Sequence, residues 1–202
     1  GLSKRLGTLS LRDLRAQGVA KEALLSLMAR LGSSQPVELK LSLDEIAAGF
    51  ELGQFGAAPT KFNPDDLWPL TRERNQHLPF AAVRDRIDGL GVPGDIAEDF
   101  WAVASHNITR LEDLEEWWTL CRDGAEPIVA DEDRDFVRQA LAMLPPRPFT
   151  KATWGEWTEA VKAATGRKGK TLFRPLRLAL TGRESGPEMA DLLPLLQKLP
   201  PV

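Results

Sequence analysis

Two basic segments carry the side chains whose type and spacing could do chemistry, one at each end of the chain. Near the start, Ser3, Lys4 and Arg5 follow one another directly. A positioned lysine ammonium can neutralise the charge that develops on a transferring phosphoryl group. Taken alone, however, so short a stretch is better explained as a solvated basic terminus.

The second segment spans residues 147–183, where basic side chains far outnumber acidic ones. Its nine basic residues are Arg147, Lys151, Lys162, Arg167, Lys168, Lys170, Arg174, Arg177 and Arg183, against the acidic Glu156 and Glu159. Such a cluster could face a polyanion, because neutralising phosphates releases condensed counterions. The same cations could instead lie on a solvated face or near a helix C-terminus, where positive charge is favoured, and this alternative stays open.

Composition places the chain among ordinary globular proteins, with 43% hydrophobic and 27% charged residues in a length of 202. The net charge of -3 conceals a division along the chain. Residues 1–62 and 147–202 carry net charges of +2 and +5, and residues 63–146 carry -10. The single Cys121 and only two histidines exclude a disulfide framework and a conventional zinc site. No apolar run is long enough to span a membrane, so we expect a cytoplasmic protein without a membrane partner.

The elements that must position these residues are predicted to be helical throughout, a mainly α fold. Helices are predicted over the following ranges: 10–17, 21–31, 42–49, one beginning at Asn63, 79–88, 95–105, 110–122, 132–144, 153–165, 171–181 and 187–198. Leu24, Leu25, Met28 and Leu31 share one face of the second helix. Capping-box spacing is found at Ser42 with Glu45, Thr109 with Glu112 and Thr153 with Glu156.

Aromatic residues invite two interpretations. Five tryptophans fall in the predicted helices of the second half: Trp101, Trp117, Trp118, Trp154 and Trp157. They could stack on nucleic-acid bases, but tryptophan at helical spacing beside leucine and phenylalanine is more often a core residue. The run Asp131–Asp135 is predicted to be a solvated helix start, because carboxylates complement the positive end of the helix dipole.

The two basic segments together resemble bacterial glutamyl-tRNA synthetases. The first match is Leu2 to Arg5 followed by Gly7, Ser10 and two helices that end at Gly18 and Gly32. The second is Lys168-Gly169-Lys170, then Leu172-Phe173, Pro175-Leu176-Arg177 and Thr181-Gly182. Their order, their spacing and the helical body between them also agree with this class I aminoacyl-tRNA synthetase family.

The resemblance implies a helical connector, the stem-contact region, followed by an all-helical anticodon-binding domain. Residues 1–85 would hold the end of the ATP signature loop and the connector, and residues 86–202 the anticodon-binding domain. Ser3, Lys4 and Arg5 would bind ATP, whereas Gly1 departs from the lysine that is common in the family. The basic residues expected to bind tRNA are Arg167, Lys168, Lys170, Arg174 and Arg177.

The same resemblance implies what the complete enzyme would do. It would ligate glutamate to its tRNA through a glutamyl-adenylate, using ATP with Mg²⁺, and act as a monomer. The catalytic nucleotide-binding fold and any catalytic residue are not found in this sequence, so we expect the chain alone to be inactive. Two alternatives remain: an enzyme that also charges glutamine tRNA, and a helical module that binds an acidic protein.

Overall fold

A computed structural model describes residues 10–57 and 60–200, and helices joined by turns make up most of this part of the chain. Within these ranges there are eleven α-helices: α1 Leu11–Ala16, α2 Lys21–Met28, α3 Leu43–Ala48, α4 Leu67–Gln76, α5 Phe80–Gly89, α6 Ala97–Ala104, α7 Leu114–Asp123, α8 Arg134–Ala142, α9 Lys151–Thr165, α10 Lys170–Thr181 and α11 Met189–Leu192. Short 3₁₀ turns precede α4, α7 and α8 and follow α11. The described residues form no strand beyond an isolated bridge between Ser33 and Phe55. The prediction of a mainly α fold is confirmed.

The chain divides into two compact units. Unit 1 takes in the chain up to Val83 together with Ile108–Asp113, and unit 2 takes in Arg84–Asn107 and the chain from Leu114 onward. The separation into a stem-contact and an anticodon-binding part at residue 85 is a functional assignment, and it stays a prediction. None of the helices in the described ranges is long and apolar enough to cross a bilayer.

The core of unit 1 forms where α2 packs against α4. Its buried members are Leu14, Ala23, Leu27, Leu67 and Leu70. Helix α1 contributes Leu14 to this core and begins with a reciprocal cap, where the Asp13 backbone N–H donates to Ser10 Oγ and Asp13 Oδ2 accepts from the Ser10 backbone N–H. Such a cap satisfies donors that a helix start otherwise leaves without partners.

Helix α2 is rotated relative to the sequence-based expectation, and it ends at Met28 instead of Leu31. Its buried face contains Ala23, Ser26 and Leu27, whereas Leu25 and Met28 are exposed. The buried Ser26 explains the rotation, because its hydroxyl accepts from the Lys40 backbone N–H at 2.9 Å. A hydrogen bond to a distant backbone makes this polar residue suitable for the interior, which the hydrophobic pattern alone does not reveal.

Unit 2 is built around aromatic and leucine side chains from helices α6 to α11. Trp101, Trp117, Trp118 and Trp157 are all buried, so the prediction that they are core residues is confirmed. The indole Nε1 of Trp117 donates to the Asn107 carbonyl, and that of Trp157 donates to the Ala140 carbonyl. Trp154 differs from these four because it is only half-buried.

The helix caps correct two of the predicted capping boxes. Helix α9 begins at Lys151 because Thr150, not Thr153, is its cap, and the Thr150 backbone N–H donates to Thr153 Oγ1 at 2.8 Å. Before α7, Asp113 takes the role expected of Glu112 and accepts from the backbone N–H of Thr109 at 3.0 Å. In both places a short side chain, that of Thr153 or Asp113, accepts from the backbone N–H of a residue that precedes the helical turn.

Candidate nucleic-acid interface

The basic segment of unit 2 is positioned by the junction between α9 and α10. Helix α9 ends at Thr165 and is capped by Gly166, whose φ of 71° is the left-handed conformation that favours glycine. Arg167 to Gly169 form the connection, and α10 begins at Lys170. This short connection places Arg167, Lys168 and Lys170 next to one another at the start of α10.

Arg167 is engaged by the protein itself. Its guanidinium forms an ion pair with Asp133 and lies 4.0 Å from the centre of the Phe136 ring. It also donates to the Thr171 carbonyl at 3.3 Å. Asp133 was expected to be a solvated helix-start residue, and that expectation is wrong, because its side chain is only 18% exposed and neutralised by Arg167. Arg167 therefore stabilises the packing of α8 near the start of α10.

Arg174 and Arg177 also have partners within unit 2. Arg174 pairs with Glu184, and this hydrogen bond lowers the pKa of the Glu184 carboxyl, with the nearby charge of Lys170 adding to the effect. Arg177 donates to the Pro187 carbonyl at 2.9 Å. Arg174 is exposed and Arg177 half-buried. Arg174 could exchange its carboxylate for a phosphate, whereas Arg177 holds the loop that follows α10.

Lys168 and Lys170 differ from the other cations between residues 147 and 183. Both are exposed, and neither ammonium forms a hydrogen bond or ion pair with any residue that the structure describes. The remaining cations of the segment are engaged: Arg147 with the Leu196 carbonyl, Lys151 with Asp191, Lys162 with Glu159, and Arg183 with Glu116. Within residues 147–183, the positive charge that forms no hydrogen bond or ion pair with the described residues is thus concentrated at the start of α10.

A shallow depression beside this junction brings together three of the five predicted tRNA-binding residues. Arg167, Lys170 and Arg174 line it together with Glu132 and Asp133, and its volume is about 580 Å³. Lys168 and Arg177 do not line it. The sequence did not predict that Glu132 and Asp133 share this surface, because the run Asp131–Asp135 was interpreted as a solvated helix start.

A second cavity of unit 2, of about 640 Å³, is lined by residues of α6, α9 and the segment before α11. The exposed His106 lies there, with its Nδ1 3.1 Å from the Ser105 hydroxyl. Within the described ranges, no group of three or more histidine, cysteine or acidic residues could hold a metal ion. Ser3, Lys4 and Arg5, predicted to bind ATP, lie outside the residues that the structure describes.

Comparison with known proteins assigns a family to the second half of the chain. Residues 108–199 match the family described as the anticodon-binding domain. The chain is 68% identical over 196 residues to glutamate–tRNA ligase 1 of Paracoccus denitrificans strain Pd 1222, a match that covers 97% of the chain and 44% of that protein. Glutamate–tRNA ligase 1 of Cereibacter sphaeroides strain ATCC 17025 is 66% identical over 196 residues, and this match also covers 97% of the chain and 44% of the relative. The chain thus spans less than half the length of these relatives.

Solved structures show the same fold at much lower identity. A glutamate tRNA ligase from Elizabethkingia meningosepticum, crystallised in complex with its amino acid, superposes with a TM-score of 0.70 and 19% identity. The match covers 97% of this chain and 42% of that one. A synthetase from Elizabethkingia anophelis gives the same TM-score over 41% of its length.

Proposed function

We propose, from the premise that this chain belongs to the glutamate–tRNA ligase family and corresponds to its C-terminal part, that it binds the anticodon arm of glutamate tRNA. The observation that carries this proposal is the pair of exposed lysines, Lys168 and Lys170, whose ammonium groups form no hydrogen bond or ion pair with the described residues of the matched anticodon-binding domain. Phosphates on either side of unstacked anticodon bases are the anions that such a pair would neutralise. Arg174 would join them by leaving Glu184, and Arg167 would stabilise the junction that carries them.

The test is tRNA binding by the 202-residue chain at several salt concentrations. We expect the double variant Lys168→Gln with Lys170→Gln to bind glutamate tRNA more weakly and to lower the slope of log K against log salt by about 1 to 2. Arg134→Gln with Arg138→Gln is the matched control, because it removes the same charge from residues paired with Asp131 and Asp135. An unchanged slope in the lysine variant would contradict the assignment of these two residues.

The choice of tRNA forms a second part of the same experiment. Glutamate tRNA, glutamine tRNA and an unrelated tRNA are compared, together with an acidic protein of similar charge. Binding of the first alone supports a discriminating anticodon reader, and binding of the first two supports an enzyme that also charges glutamine tRNA. Preference for the acidic protein over every tRNA would favour the helical protein-interaction module instead.

For the complete enzyme we propose that it ligates glutamate to tRNA through a glutamyl-adenylate, using ATP with Mg²⁺. We propose that this enzyme is a cytoplasmic monomer. Ser3, Lys4 and Arg5 would contact ATP, with the Lys4 ammonium against its phosphates. In the complete enzyme, Lys4→Ala should slow adenylate formation and leave tRNA affinity nearly unchanged. Equal loss of both properties would remove the phosphate role assigned to Lys4.

A further inference from the structure

Three aromatic rings form a connected path from the core of unit 2 to its surface. Trp157 is buried and fixed by the hydrogen bond from its Nε1 to the Ala140 carbonyl, at 2.8 Å. Trp154 packs edge-to-face against it, with ring centroids 5.5 Å apart. Phe173, on α10, lies 6.3 Å from Trp154 at an interplanar angle of 35°. The outermost ring is therefore held in place by the two behind it.

Phe173 remains 43% exposed although a half-buried tryptophan lies beside it. A phenyl ring on a helix surface gives up much of the favourable burial that drives folding. Its contact with Trp154 also limits the freedom that an exposed side chain ordinarily keeps, so a partner would meet a largely preorganised ring. An exposed and preorganised aromatic face is suited to binding another flat ring.

The charge around Phe173 indicates what kind of ring that is. Lys170 lies three residues before Phe173, on the same side of α10, and neither Lys170 nor Lys168 has an ion-pair partner among the described residues. Proteins bind single-stranded nucleic acid with this combination: aromatic side chains stack on the bases, and cations contact the phosphate backbone. Ile128 is another exposed apolar residue of unit 2. In contrast to Phe173, it has no ring that could stack on a base, and it lies close in sequence to the acidic Glu126.

We infer that Phe173, supported by Trp154, is a stacking platform for one unstacked base of the anticodon loop, with Lys168 and Lys170 against the adjoining phosphates. This inference rests on the proposed function and adds the side chain that receives the base. Stacking tolerates any base, because each has a π face. The platform therefore contributes to affinity for the loop, and discrimination between anticodons comes from other contacts.

The experiment measures binding of an anticodon stem-loop RNA by the 202-residue chain, with 2-aminopurine in turn at each of the three anticodon positions. Stacking on Phe173 should quench the emission of 2-aminopurine at one position upon binding. Phe173→Leu keeps an apolar side chain of similar size but removes the ring, and Phe173→Trp keeps a ring. We expect the leucine variant to lose about tenfold in affinity together with the quenching, and the tryptophan variant to retain both.

The controls separate this inference from the proposed function. Ile128→Ala, at an exposed apolar position of the same unit, should leave affinity and quenching unchanged. If the unmodified chain binds the RNA but Phe173→Leu binds and quenches equally well, the platform is refuted and the proposed function stands. If the unmodified chain does not bind the RNA even at low salt, the proposed function itself fails. Thermal unfolding followed by circular dichroism confirms that each variant is folded.

Discussion

Arg167 lies between the Asp133 carboxylate and the Phe136 ring, and both contacts hold its guanidinium in one place. Its side chain is 29% exposed and that of Asp133 is 18% exposed, so water screens this pair less than it screens an ordinary surface pair. A guanidinium can pair with a carboxylate and stack on a ring at the same time, which an ammonium does less well. The charge of Arg167 therefore contributes more to packing within the chain than to binding an external partner.

We predict that Arg167→Ala lowers the free energy of unfolding by about 1 to 2 kcal/mol, because it leaves Asp133 without its charged partner. The measurement is urea unfolding followed by tryptophan fluorescence. Lys168→Ala, one residue along and with no side-chain partner in the described part of the chain, is the control and should change stability by less than about 0.5 kcal/mol. Combining Arg167→Ala with Asp133→Asn should recover part of the loss, and equal stability of the single and double variants would count against this ion pair.

Cys121 is buried, and burial raises the pKa of its thiol to about 12. The thiolate is the reactive form, so we predict that thiol reagents do not modify the folded chain at about pH 8 and modify it readily in urea. Fast labelling under native conditions would show that the thiol is accessible.

The raised pKa of the Cys121 thiol also predicts a loss of stability in alkali. The neutral thiol does not lower the free energy of unfolding below pH 9, and the folded state is increasingly disfavoured between pH 9 and 12.

At the scale of elements, the two glycines that end α9 and α10 have the same backbone conformation but different surroundings. Gly166 has a φ of 71°, and a β-carbon added there would meet no atom within 4 Å, so only conformational strain opposes a side chain. Gly182 has a φ of 63°, and a β-carbon would lie 3.0 Å from the Glu126 carbonyl oxygen. The end of α10 is thus packed against backbone, and the end of α9 is open.

This difference predicts unequal effects of one substitution. Gly166→Ala should cost about 1 kcal/mol in the free energy of unfolding, the usual penalty for a left-handed alanine. Gly182→Ala should cost more, because the Glu126 backbone or α10 itself must shift. Thermal unfolding of both variants measures the comparison, with Ser185→Ala in the following loop as a control. Equal losses would show that the contact with Glu126 is readily relieved.

At the scale of the whole molecule, the chain spans 44% of the length of its relatives from Paracoccus and Cereibacter. Formation of an adenylate requires several groups to converge on ATP and the amino acid in one orientation. The resemblance assigns only Ser3, Lys4 and Arg5 to that task in this chain. The proposed binding of tRNA, in contrast, rests on the surface of residues 108–199, the part of the chain matched to the anticodon-binding domain.

We therefore predict that the isolated chain catalyses no glutamate-dependent exchange of pyrophosphate into ATP, although it binds tRNA. The exchange assay is run with and without tRNA, and the complete enzyme is the positive control. Exchange above background by the chain alone would contradict the assignment of catalysis to the remainder of the protein. If the same preparation is folded by circular dichroism but does not bind tRNA, the proposed function itself fails.

Local sequence signals predicted much of the helical structure, because they depend on neighbours within one or two turns. Helices α5 to α10 lie close to their predicted ranges, and the motif from Lys168 to Gly182 lies within residues 108–199, which match the anticodon-binding domain family. Burial of Trp101 and Trp157 also followed from their spacing. The buried face of α2 and the start of α9 did not, because Ser26 and Thr150 make hydrogen bonds that a hydrophobic pattern does not contain.

The sequence by itself thus determined the fold class, the family and the existence of a basic segment. Only the tertiary structure decided which of those basic residues remain available to a ligand. The partners of Arg167 and Arg183 lie 34 and 67 residues away in sequence, at Asp133 and Glu116. The position of Phe173 beside Trp154 likewise depends on how α10 packs against α9. Pairing across such separations is set by the packing of whole helices, which charge and periodicity along the chain do not specify.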